Sequence, residues 1–152
     1  MALPINIEDL LNKRKVESNR IEFKAGWNPD KIYHTVCAFA TDLENTGGGY
    51  ILVGVEEENG VAKRPVKGLN EKEIDDILKD MVGYDAKIEP AYMTKASPEI
   101  VDGKPILVIW VPSGLNRPYS VMESVVARSQ LQNFMCAANP QPLRPKERFL
   151  IR

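Results

Sequence analysis

Apolar and polar positions along the chain follow two periods. Ile32, Val36, Phe39, Ala40 and Leu43 recur at three- and four-residue steps. That spacing marks one buried helical face and predicts a helix over residues 31–44. Tyr50-Ile51-Leu52-Val53-Gly54-Val55 is a continuous apolar run rich in β-branched residues, as expected of a strand buried on both faces. Gly47-Gly48-Gly49 lies between the two. Glycine reaches positive φ without a Cβ clash, so the run predicts the stop of the helix. Glu56-Glu57-Glu58-Asn59-Gly60 follows as an acidic turn. This helix–glycine–strand unit is the expected centre of the fold.

The flanking elements obey the same periods. Asn6 caps a short helix with Glu8 and Asp9 in its first turn, where the helix dipole favours acids. Ile21 and Phe23 alternate with Glu22 and Lys24, the pattern of a half-buried strand. Residues 61–69 read as a loop punctuated by Pro65 and Gly68. Asn70 and Glu73 suggest a capping box before a third helix, whose apolar face is Ile74, Ile77, Leu78, Met81 and Val82 and which ends at Gly83. A weaker strand begins at Ile88. Asp102-Gly103, flanked by Glu99-Ile100-Val101 and by Pro105 to Val111, is the strongest hairpin signal. Residues 130–144 show no clear period and read as an irregular excursion. Arg148 to Arg152 resembles a last strand. The expected class is α+β: a mixed, partly antiparallel sheet with about three packed helices.

Length and charge narrow the function. A chain of 152 residues is one domain with room for a real core. A formal net charge of −1 argues against a strongly basic, indiscriminate nucleic-acid binder but permits a local basic face. Its first residues show no signal peptide, and no apolar run nears the roughly 20 residues that span a bilayer. Cys37 and Cys136 make no disulfide framework, and Cys37 is expected to pack as a small hydrophobe in a reducing cytoplasmic setting.

Cations that could meet phosphates are Lys13, Arg14, Lys15, Arg20 and Lys24 early, and Lys63, Arg64 and Lys67 after the central strand. Late in the chain come Arg117, Arg144, Lys146, Arg148 and Arg152. Contacts of this kind give salt-dependent, sequence-indifferent affinity; the plain alternative is scattered solubilising charge. The glycines precede a strand, and no Gly-Lys-Ser/Thr follows, so they form neither a P-loop nor a dinucleotide fingerprint. His34 is the sole histidine, and on a helix it is expected to pack or face solvent rather than serve as a base. Trp110 is expected in the core. Tyr119 is expected in a turn beside Arg117.

Several segments in order resemble one family. They are Glu17-Ser18, then Ile21-Glu22-Phe23-Lys24, a helix with Ala38-Phe39-Ala40, and Asn45-Thr46. Gly47 to Glu56, Arg117-Pro118-Tyr119 and Phe149 to Arg152 complete the set. Together they are similar to the Schlafen AlbA-like family, also described as a DNA-binding domain and formerly as a divergent AAA domain. The resemblance implies that residues 1–152 form a single domain, the N-terminal part of a longer bacterial transcriptional-regulator-like protein. The first expected function is therefore nucleic-acid binding, to DNA or RNA, without a cofactor. The alternative is a Schlafen-like endoribonuclease dependent on Mg²⁺ or Mn²⁺. For it the resemblance implies Glu17, Glu22 and Glu56 or Glu57 as catalytic acids, with Glu17, Glu22 and Glu56 holding the metal. Such carboxylates suit hard cations, and Lys24 would stabilise developing charge. The third expectation is a dimerisation module, a homodimer pairing through exposed edge strands.

Overall fold

A computed structural model describes residues 6–12 and 20–126, and the backbone of 133–135. Its centre is a four-stranded mixed sheet of β1 (Arg20–Lys24), β2 (Gly48–Val53), β5 (Lys95–Val101) and β6 (Lys104–Pro112), in the order β1-β2-β6-β5. β1 runs parallel to β2, with Glu22 opposite Ile51 and Lys24 opposite Val53. The other pairings are antiparallel. Two parallel neighbours need a crossover, and α2 (Pro29–Thr41) supplies it. The α+β expectation holds: α1 (Ile7–Leu11), α2 and α3 (Glu71–Asp85) pack on this sheet. Two small pairs complete it, β3 (Glu57–Glu58) with β4 (Val61–Ala62) and β7 (Ser120–Met122) with β8 (Asn133–Met135).

Both faces of the sheet are covered, which is why β2 is apolar throughout. On one face Ile51, Val53, Leu107, Ile109 and Val111 meet α2 and α3 through Ile32, Val36, Phe39, Ile74, Ile77 and Met81. On the other, Tyr50, Leu52, Ile106 and Val108 meet Leu10 and Leu11 of α1, Phe23, Ala62 and Val66. Each fully buried Leu or Ile contributes about 1.5–3 kcal/mol.

The caps and the hairpin follow the sequence. The Asn6 side chain accepts from the Glu8 N–H at 2.8 Å. Asn70 and Glu73 form the reciprocal capping box. Asp102 and Gly103 both take positive φ, 54° and 74°, as a two-residue hairpin turn requires.

Several expectations are corrected. α2 stops at Thr41, and its cap is Asp42 in the left-handed region, not the glycine run. The Asp42 carboxylate accepts from the backbone N–H of Thr46 at 2.7 Å and of Gly47 at 2.8 Å. Those bonds fold the chain back before it could continue to residue 44. Leu43 is consequently 64% exposed. The glycines serve close approach instead: a Cβ on Gly49 would lie 2.6 Å from the Phe39 ring and 2.7 Å from the Arg20 carbonyl. α3 runs past Gly83 to Asp85 and leaves Val82 73% exposed. The expected strand at Ile88 reduces to a single bridge, Glu89 to Ser120, because Pro90 has no N–H to continue the ladder. The acidic turn and the start of the following loop form the short β3–β4 hairpin. Trp110 is half-buried, with Lys95 Nζ 5.1 Å from its ring centre. Tyr119 is buried rather than displayed in a turn. Cys37, by contrast, is fully buried in the helix-side core, the packing expected of it. The late strand at 148–152 and most of the 130–144 excursion lie outside the described residues.

Candidate nucleic-acid interface

β1 gives its two sides to different surroundings. Ile21 and Phe23 turn toward the α1 side of the sheet. Arg20, Glu22 and Lys24, in phase with one another, turn toward α2. There they form one wall of an open groove of about 370 Å³. Lys31, His34, Thr35 and Ala38 form the opposite wall at helical spacing. The α2 stripe is set in place by the Asn28 cap, whose side chain accepts from the Lys31 N–H, and by the Phe39–Gly49 contact.

Three cations thus converge on one acid. Arg20 is partly engaged, with Nη2 3.2 Å from Glu44. Glu22 is exposed. His34 stands in the wall with Nε2 2.9 Å from the Glu123 carbonyl. That N–H donates, so the imidazole ties α2 to the segment after β7, in keeping with the packing role expected of it. Lys31 is not among the cations that the sequence singles out. A signal is nevertheless present: Lys31, Thr35 and Ala38 make a polar and small stripe beside the apolar one of α2.

Other candidate cations hold the fold together. Arg64 forks onto Asp102, with Nε to Oδ2 at 2.9 Å and Nη2 to Oδ1 at 2.6 Å, and its Nη1 reaches Glu8 at 3.0 Å. Asp102 also accepts from the Val66 N–H at 2.9 Å. The Arg64 guanidinium, and next the Val66 N–H, hold the Asp102 carboxyl at about 2. Hydrogen bonds from Asp102 and Glu8 push Arg64 up from its usual value. Arg117 Nη1 donates to the Asp42 carbonyl at 3.2 Å, Asn45 Oδ1 at 3.0 Å and Ser113 Oγ at 3.2 Å. Burial pushes the Asp42 carboxyl up, but the backbone N–H groups of Thr46 and Gly47 outweigh it and hold the group below the ordinary range. Both arginines are fasteners whose charge meets carboxylates: Arg64 those of Asp102 and Glu8, Arg117 that of Asp42 at 3.8 Å. Lys63 and Lys67 are exposed on the connection before α3 and are not among the residues that line the groove. Lys13, Arg14, Lys15, Arg144, Lys146, Arg148 and Arg152 lie outside the described residues.

The expected acidic trio is only partly visible. Glu22 lines the groove. Val53, opposite Lys24, ends β2, and the Lys24 carbonyl accepts from the N–H groups of Gly54 and Val55 at 2.7 and 3.1 Å. Glu56 therefore follows directly beyond the end of β1, but its side chain is exposed and does not line the groove. Glu57 begins β3. Glu17 lies outside the described residues. Among the described residues no three His, Cys, Asp or Glu side chains converge closely enough to hold a metal.

Sequence reasoning also missed a buried network. Asp85 accepts from the Tyr33 hydroxyl at 2.6 Å and from the Thr94 N–H at 3.0 Å. Burial, then the bond to Asp85, raises Tyr33 far above its ordinary value and keeps it a donor. This joins α2, α3 and the entry to β5.

The family model for Schlafen, AlbA_2, matches residues 17–136. The chain belongs to that family. This Schlafen AlbA_2 domain is also similar to the NMR structure of the N-terminal domain of a candidate ATP-dependent DNA helicase, a RecG-related protein from Nitrosomonas europaea. The TM-score is 0.57 and the identity 26%, over 95% of this chain and 86% of that one. The crystal structure of a Corynebacterium diphtheriae protein shares the fold, with a TM-score of 0.50 and 20% identity over 86% of this chain, which spans 23% of that larger one. Nothing matches among curated proteins. Among the described residues no helix is long and apolar enough to cross a membrane.

Proposed function

We propose that this Schlafen AlbA_2 domain binds nucleic acid through the groove between β1 and α2. The observation that carries the reading is the convergence of Arg20, Lys24 and Lys31, from two separate elements, on one open groove. Phosphates would meet Lys24 and Lys31 first, since Arg20 is shared with Glu44. Family membership and the helicase-related neighbour support the same reading. In this reading the domain works without a cofactor, as the nucleic-acid-recruiting part of a longer, cytoplasmic, transcriptional-regulator-like protein.

The endoribonuclease reading has one observation behind it, the presence of Glu22 among those cations. Among the described residues the donor set for Mg²⁺ or Mn²⁺ is not assembled.

Fluorescence anisotropy with single- and double-stranded DNA and RNA tests the binding reading. Affinity should fall steeply between about 50 and about 200 mM salt. Replacing Lys24 and Lys31 together by Ala should weaken binding and flatten the logarithmic salt slope by about 1.4 for a single strand or about 1.8 for a duplex. A salt slope equal to that of the unsubstituted protein would overturn the assignment.

A further inference from the structure

We infer that Glu22 reads the base of an unpaired nucleotide, and that the base it selects is guanine. The inference rests on the phosphate reading of the same groove. Glu22 stands on β1 between Arg20 and Lys24 and faces the wall carrying Lys31. It forms no ion pair among the described residues, and Arg20 turns to Glu44 instead. A carboxylate in this position repels phosphate, and the more so as a bound strand displaces water. Phosphates are therefore steered to the lysines, and the position at Glu22 admits a proton donor.

Nucleic acid offers such donors on its bases. In a duplex their pairing edges are occupied; in an unpaired strand they can be read directly. Guanine alone presents two adjacent donors there, N1–H and the N2 amine, matching the two oxygens of a carboxylate as an arginine fork does. Cytosine and adenine present one amine beside a ring acceptor. Thymine presents one N–H between two carbonyls, which repel the carboxylate. The groove thus combines lysines that position the strand with one acid that chooses the base.

The test uses short oligothymidylates whose central residue is thymidine, deoxyguanosine or deoxyinosine, which lacks the N2 amine. DNA probes remove the ribose 2′-hydroxyl, another donor, from the comparison. The guanine probe should bind about tenfold more tightly than the thymidine probe, and inosine should lose most of that gain. Glu22 is exposed, so Glu22→Gln should keep the fold. It should bind the thymidine probe more tightly than the unsubstituted protein does, because a negative charge has left the groove, and it should lose the preference for guanine. Equal affinity for guanine and thymidine probes, with salt-dependent binding intact, overturns the base reading and leaves the phosphate reading standing. Absence of salt-dependent binding to any probe overturns both. Mn²⁺-dependent RNA cleavage that disappears in Glu22→Gln, without a guanine preference, assigns Glu22 to catalysis and overturns the inference.

Discussion

A charged residue's role depends on what lies opposite it, and this chain contains both outcomes. Arg64 and Arg117 look in sequence like the lysines around them. In the fold each is held by carboxylate or carbonyl oxygens from distant segments. No local pattern announces partners that are 38 and 75 positions away. Arginine's planar fork favours this fastening role, whereas lysine's flexible point charge remains available to solvent and ligand. The Arg64–Asp102 pair has a pH consequence. Asp102 titrates at about 2 in the fold against about 3.9 in an unfolded chain. Its contribution is therefore complete above the unfolded value and is lost as pH falls through about 2. Asp102→Asn should lower Tm at neutral pH and flatten its decline between about pH 4 and pH 2. Melting curves across that range check it; an unchanged acid slope would show that the pair does not stabilise the fold.

Elements are legible where one period runs without interruption. β2, the hairpin at Asp102-Gly103 and the capped start of α3 are readable because apolar runs, turn residues and caps act locally. Their ends are less legible. α2 stops because Asp42 finds the N–H groups of Thr46 and Gly47, a tertiary-like turn that the apolar spacing out to Leu43 contradicts. The glycine run stands out in sequence as a helix stop, yet its physical reason is different. Gly49 is small because Phe39 of α2 and the Arg20 backbone both press on it. The same contact fixes the distance between α2 and β1, hence the width of the groove. Gly49→Ala should cost about 1–3 kcal/mol, the usual range for overpacking a core. Urea unfolding would measure it. A loss below about 0.5 kcal/mol, ordinary for a surface site, would mean that the Phe39 ring does not seat α2 on Gly49. Because the ring and the strand must part, the variant should also weaken nucleic-acid binding.

At the scale of the whole molecule, one sheet serves two cores, and β2 is common to both. Ile51 and Val53 belong to the helix-side core; Tyr50 and Leu52 belong to the other. The unbroken apolar run foreshadows that sharing. It does not foreshadow the candidate interface, which needs β1 and α2 side by side, and only the parallel crossover brings them there. Glu22 and Lys24 can be named from alternation; Lys31 cannot be joined to them without the fold. Shared burial makes separate unfolding of the two cores costly, because freeing either face exposes β2. The domain should therefore unfold in one step, as small single domains usually do. Two tryptophans report on it independently. Trp27 packs against the helix-side core beside Tyr33 and Tyr84, and Trp110 against the opposite one. In Trp110→Phe the remaining fluorescence follows the first core, and in Trp27→Phe the second. Within each variant, fluorescence and far-ultraviolet circular dichroism should give the same urea midpoint. Distinct midpoints in either variant would show that the faces come apart separately, and that β2 does not couple the groove to the α1 side of the sheet.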